Sequence, residues 1–361
     1  MRLMARKPLI PHHDSTGPAG PYDAVTAEPW FVPQGDAGAG YPPWRQAVSQ
    51  PFWPQAEWGP QAERGPLVVA DDWAAAQGAL SAELAGLAVL YGALEERLRA
   101  GPAGWRHRLA LREAADLSWA VGDRIPPERL ALWQALRLSG VQEDAQGLER
   151  AAWALRRLMS GAGGGLAAFF GRQGGQDEVE GLVGLLAGLG HLHPVTRAVA
   201  LGQVWQMTGD AGAARQIEAV VLAGCVAADM GRANMGRAEM GGFVPQAAAG
   251  QRGVPGGRAE AALAGWLRGA TRATQGALLH LDQIAAWTRR APLALTDLQG
   301  RTPPALLDVL AEWPMVTTGL AERLTGASKA SVMRNLGLMQ ARGVLREVTG
   351  QGRYRVWTAA V

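Results

Sequence analysis

The chain has 361 residues, enough for two or three domains, and 48% of them are hydrophobic. Charged residues make up only 19% and the formal net charge is +3, so bulk charge selects no partner. A single cysteine, Cys225, excludes an internal disulfide and a thiolate zinc site, and no run of about 18 apolar residues offers a membrane span.

Residues 1–68 read as an irregular tail, because Pro and Gly recur (Gly17-Pro18-Ala19-Gly20-Pro21) and neither a helical nor an alternating apolar period survives. Trp30, Trp44, Trp53 and Trp58 are unusual in such a tail, which leaves free disorder, the favoured reading, beside an extended strap pinned to a helical body. Met1 to Ile10 is basic but lacks the apolar stretch of about 7–15 residues that a secretory signal needs, so a cytoplasmic location is expected.

From Asp71 the spacing turns helical, and residues 69–292 read as an all-α domain. Asp72 is placed to cap a helix over Trp73 to Ala100, with Leu80, Leu84, Leu87, Leu90, Leu94 and Leu98 at steps of three and four. Further helices are predicted at 105–121, from Pro126-Pro127 to Leu138, and over 144–159, 177–190, 194–208 and 211–229, with no strand signal between them. Residues 230–258 repeat Met-Gly-Arg units at a period of five and read as a low-complexity loop, since stacked repeat folds need far longer periods. A long amphipathic helix follows over Ala259 to Arg290, then a linker to Pro304. Cys225, set among Val220, Val221, Leu222 and Val226, reads as a core residue.

Residues 300–361 are the most informative. The spacing predicts a helix over Pro304–Ala311, a second over Thr317–Leu324 capped by Thr317 or Thr318, a turn at Gly326, and a third helix capped by Ser328 and ended by Gly343. The period then switches to two over Val344–Val348 and Arg353–Trp357, around the turn Thr349-Gly350-Gln351-Gly352. Three helices and a β-hairpin make a winged helix-turn-helix, and the expected fold is mainly α with that module at its end. Its third helix offers Ser328, Lys329, Ser331, Arg334 and Asn335 to base edges or phosphates, and its hairpin adds Arg346, Arg353, Tyr354 and Arg355. From Arg323 onward seven basic residues face one acidic residue, Glu347, an excess of six positive charges against three for the whole chain.

The remaining polar motifs do not assemble an active site. His191 and His193, two residues apart at a helix entry, point about 200° apart and suit one metal poorly. Glu113 and Asp116 share a helix face that reads as solvated or ion-paired, and Gly163-Gly164-Gly165 lacks the lysine and spacing of a phosphate loop. No catalytic residue, metal or cofactor is expected.

His193-Pro194 at a helix start resembles the opening of the Fic nucleotidyl transferase motif, whose histidine is the base, whose acid holds the metal and whose glycines cradle phosphates. Here Val195, Arg197, Ala198 and Val199 stand where the aromatic, the acid and the Gly-Asn-Gly run would begin, so the resemblance implies at most a degenerate Fic-like scaffold. The run Leu109–Arg124, the segment His193 to Trp205, the stretch Ala261–Trp287 and the ending Gly352–Trp357 together resemble a family of uncharacterised bacterial proteins of rhizobial type. That family pairs a helical domain of unknown function with a C-terminal DNA-binding helix-turn-helix, and the likeness covers roughly residues 68–361. The resemblance implies architecture and DNA binding, with no activity.

Three functions follow in order. The first is a DNA-binding transcriptional regulator, a homodimer if its operator is two-fold, whose body holds dimer contacts or senses an effector. The second is a degenerate scaffold whose wing contacts a protein, and the third is an enzyme with an unrecognised helical site.

Overall fold

The computed structural model describes residues 69–134, 142–160, 169, 181–182, 184–185, 187–208, 212–235, 244–246, 258–350 and 355–361, all of them within the compact unit Gly40–Val361. The predicted tail, Gly163–Gly165, residues 177–180, 183 and 186, and most of 236–257 lie outside the described residues. The chain is mainly α. Its helices are α1 (Ala70–Ala79), α2 (Ser81–Ala100), α3 (Gly104–Ala120), α4 (Pro127–Gln134), α5 (Ala145–Ser160), α6 (Pro194–Met207), α7 (Ala213–Met235) and α8 (Ala259–Arg290). After a 3-10 turn over Ala291–Leu295 come α9 (Thr302–Glu312), β1 (Val316–Thr317), α10 (Thr318–Thr325), α11 (Lys329–Ala341), β2 (Leu345–Glu347) and β3 (Val356–Ala359).

The predicted helix over 73–100 is two helices, bent by 78° at Leu80, whose φ of −109° and ψ of 24° leave the helical basin. Gly78, weak in a helix interior, lies two residues before the break and lowers its cost. The bend lets α1 and α2 both pack on α8. Leu84, Leu87, Tyr91, Leu94 and Leu98 of α2 are buried at alternating steps of three and four. They meet a matching stripe on α8 of Leu263, Leu267, Ala270, Thr274, Ala277, Leu281 and Ile284. Each buried leucine contributes about 1.5–3 kcal/mol, so this pair of helices is a principal source of stability. Asp72 does not cap α1. The helix starts one turn earlier, from Val69, and Asp71 and Asp72 lie in its first turn, where the helix dipole favours carboxylates.

Two polar locks hold the rest of the body. Between α6 and α7, Arg215 stacks on the Trp205 ring at 3.4 Å while the Trp205 indole N–H donates to Glu218 at 3.0 Å. Arg150 of α5 pairs with Asp123, in the turn that Gly122 (φ 89°) opens after α3, at 2.7 Å with both side chains under a fifth exposed. Helix α7 runs on to Met235, through the first Met-Gly-Arg unit, because Ala, Met and Arg favour helix and one glycine costs only about 1 kcal/mol. Cys225 is half-buried and packs against the core. No single helix among the described residues is long and apolar enough to cross a membrane.

The predicted linker 291–304 opens with a short packed turn. Pro292 sits in the first turn of the 3-10 helix, Ala291 and Leu295 are buried, and the largely exposed residues 296–301 lead on to α9. The closing sheet is antiparallel with order β1-β3-β2, pairing Val316 with Trp357, Leu345 with Ala359 and Glu347 with Trp357. At two residues β1 is too short to leave an alternation in the sequence.

Candidate nucleic-acid interface

Helix α11 starts at Ser328, whose hydroxyl accepts the Ser331 N–H at 3.3 Å, and its end passes through Arg342 to Gly343 at φ 67°. Helix α10 starts at Thr317, which accepts the Leu320 N–H, and ends at Gly326, φ 65°. Each of these caps was expected. A left-handed glycine and a short hydroxyl side chain act on their immediate neighbours, so tertiary structure does not move them.

A helix turns about 100° per residue, and burial divides α11 into two arcs. Val332, Asn335, Leu336 and Met339 face inward; Lys329, Ala330, Met333, Arg334, Gly337, Leu338, Gln340 and Ala341 face solvent. Two predicted contacts therefore change role. Asn335 is only 6% exposed, and its amide donates back to the Ser331 carbonyl at 2.8 Å. Ser331 is half-buried and bonds Thr302 of α9 at 3.1 Å. These two residues hold α11 against α9 and present nothing outward. Asn335 looked available because a polar residue on a helix is read as solvent-facing. Lys329 and Arg334 remain exposed with no partner among the described residues, and α11 carries no acidic residue. Arg323 at the end of α10 is exposed too.

The hairpin is only partly described: Arg353 and Tyr354 lie outside the described residues, while Arg355 is exposed. Arg346 is paired with Glu128 of α4. Arg342, part of the predicted basic excess, bonds Asp297 at 2.5 and 2.6 Å and the Ala294 carbonyl at 3.1 Å. This pairing holds the Asp297 carboxyl below the usual range. Among the described residues Arg342 and Arg346 are thus engaged by acids outside α11, while Lys329 and Arg334 stand exposed on its first two turns. Glu347 turns inward along the hairpin, accepting N–H groups of Thr349 at 2.7 Å and Gly350 at 3.0 Å.

The densest polar contact between the C-terminal helices and the body is a joint between α3 and the end of α9. Arg108 of α3, 4% exposed, donates through one guanidinium nitrogen to the carbonyls of Leu310 (2.9 Å), Ala311 (3.3 Å) and Trp313 (2.7 Å) at the end of α9. The Trp105 indole reaches Ala311 O at 3.2 Å, and the Gly104 N–H reaches the Glu312 carboxylate at 3.3 Å. Burial raises the Glu312 carboxyl above its ordinary value. Across the sheet, the Trp287 indole donates to Val344 O at 2.9 Å. This joint leaves the outer arc of α11 exposed.

Gly104 is required there. A Cβ on it would lie 2.7 Å from the Glu312 carbonyl oxygen, which no rotamer change can move. Gly104→Ala is expected to cost about 1–3 kcal/mol, the usual penalty of overpacking. A thermal melt equal to that of the parent would show that α3 and α9 are not in this contact.

The other candidates stay apart. His193 caps α6, its Nδ1 accepting the Val195 N–H at 3.2 Å, and its backbone N–H donates to the Gln77 side-chain oxygen at 2.6 Å. Glu113 is buried and accepts the Gln246 N–H, while Asp116 one turn later is exposed, so the two do not form a shared face. Among the described residues no group of three His, Cys, Asp or Glu side chains could hold a metal. No family model matches the chain, and no curated protein matches it.

Proposed function

We propose that residues 300–361 form a winged helix-turn-helix that binds double-stranded DNA, and that the chain is a transcriptional regulator. The observation that carries this reading is the outer face of α11. Lys329 and Arg334 project from its first two turns, unopposed by any acid on that helix, on the side away from the α3–α9 joint. A recognition helix enters the major groove by its N-terminal residues, where an arginine can bridge guanine O6 and N7. The helical body then serves dimer contacts or effector sensing, and a two-fold operator would be met by two copies.

Arg334→Ala is expected to weaken binding to a selected duplex by about 1–3 kcal/mol and to relax the choice at one base pair. Lys329→Ala should weaken all duplexes alike and lower the salt slope by about one. Fluorescence anisotropy of labelled duplexes across a salt series measures both. Parent and variants with the same affinity and slope would remove α11 from the interface.

A second reading has one observation in its favour. Leu324, Met333 and Leu338 are 37–39% exposed around the same helix, an apolar presence that a protein partner would use. A degenerate Fic-like scaffold carrying a protein-binding wing would show partner binding that salt does not weaken.

A further inference from the structure

The composition of the outer arc says which kind of base pair it reads; this step rests on the DNA-binding reading above. At about 100° per residue, Ala330 and Gly337 fall at the middle of the exposed arc, Met333 and Lys329 to one side, Arg334 to the other. The inward arc takes Ser331 and Asn335 out of reach through their bonds to Thr302 and to each other. Gln340 is exposed, but its side-chain oxygen is engaged by the Trp357 indole at 3.4 Å. Met333 is held in place as well: the Thr318 hydroxyl donates to its sulfur at 3.2 Å, leaving the side chain 39% exposed. From Lys329 to Gly337 the outward surface is thus one guanidinium, one ammonium at the rim, and a methyl and a thioether beside a residue with no side chain.

That set has little hydrogen-bonding capacity for adenine or cytosine, which call for Asn, Gln, Asp or Glu. It does suit the C5-methyl of thymine, the one apolar feature of the major groove. With only Gly337 and Ala330 at its centre, the helix can approach the groove floor closely enough for Ala330 and Met333 to touch such methyls. We infer that Ala330 and Met333 are specificity-determining residues that read thymine methyl groups, next to a single guanine read by Arg334.

The test uses the full chain. A random duplex library is selected for binding, and each thymine of the recovered site is then replaced in turn by deoxyuridine, which removes only the methyl. At least one replacement within the few base pairs beside the guanine that Arg334 selects should lower affinity about fourfold, the value of one buried carbon group. Met333→Ala or Ala330→Gly should erase that sensitivity while leaving the guanine preference. A recovered site whose affinity ignores every deoxyuridine replacement overturns the methyl readout and leaves DNA binding standing. Failure to enrich any duplex overturns both.

Discussion

Replacing Arg108 by alanine is expected to remove about 3–5 kcal/mol of stability and to loosen the C-terminal helices from the body. Three carbonyls at the end of α9 converge on this one guanidinium within 2.7–3.3 Å. They are the acceptors a helix leaves unsatisfied at its C-terminus, and α3 supplies their donor from 202–205 residues away. A hydrogen bond to a charged group contributes about 1.5–3 kcal/mol, and an abandoned buried acceptor costs about 1–3. Burial prevents water from taking over. The loss should lower the melting temperature by about 10 °C for a unit of this size and open the segment 291–301 to limited proteolysis. Arg108→Lys, which keeps the charge but presents it as a point, should fall between parent and alanine variant. If Arg108→Ala melts as the parent does and resists protease equally, the C-terminal helices are held by their apolar contacts alone.

The long-range character of that contact explains what the sequence could and could not reveal. Thr317, Gly326, Ser328 and Gly343 were legible because each acts within four residues of itself. The stripe on α8 was legible because a 32-residue helix repeats its period many times. By contrast, Leu80 sat in phase with the leucines that follow it, and nothing in the period marked a bend of 78°. Arg346 and Arg342 counted as available cations because their partners lie far off in the chain, Glu128 by 218 residues and Asp297 by 45. Asn335 shows the same limit inside one helix. A helical wheel drawn from Val332, Leu336 and Met339 would have placed it on the buried arc, and that simple step also exposes Ala330, Met333 and Gly337 as the outward residues.

Mild acid should destabilise the chain well before its carboxylates titrate. His107 lies beneath the joint, 7% exposed with its ring 6.4 Å from that of Trp313. Burial and the neighbouring Arg108 charge push its pKa down to about 3. His280 on α8 is half-buried and also pushed down to about 3, by burial and by the Arg112 and Arg108 charges. His193 shifts in the same direction through burial and Arg197, and its Nδ1 must stay unprotonated to accept the Val195 N–H. Each folded-state pKa lies below the unfolded value near 6.5, so the unfolded chain takes up protons first. The stability from the neutral rings is complete above about pH 6.5 and drains as the pH falls toward 3. The slope is up to about 1.4 kcal/mol per pH unit for each histidine, or roughly 4 kcal/mol for His107 and His280 together by pH 5. Glu312 acts in the opposite sense, because its raised pKa favours the fold as the carboxyl protonates. The carboxylates of Asp144 and Asp297, held low by arginines, contribute their loss only below about pH 4. Between pH 6.5 and 5 the histidines therefore dominate. Urea midpoints across that window should fall steeply for the parent and much less for His107→Phe combined with His280→Gln. Equal slopes in the two proteins would mean that both rings titrate alike in the folded and the unfolded chain, and the buried joint described for Arg108 could not then be dry.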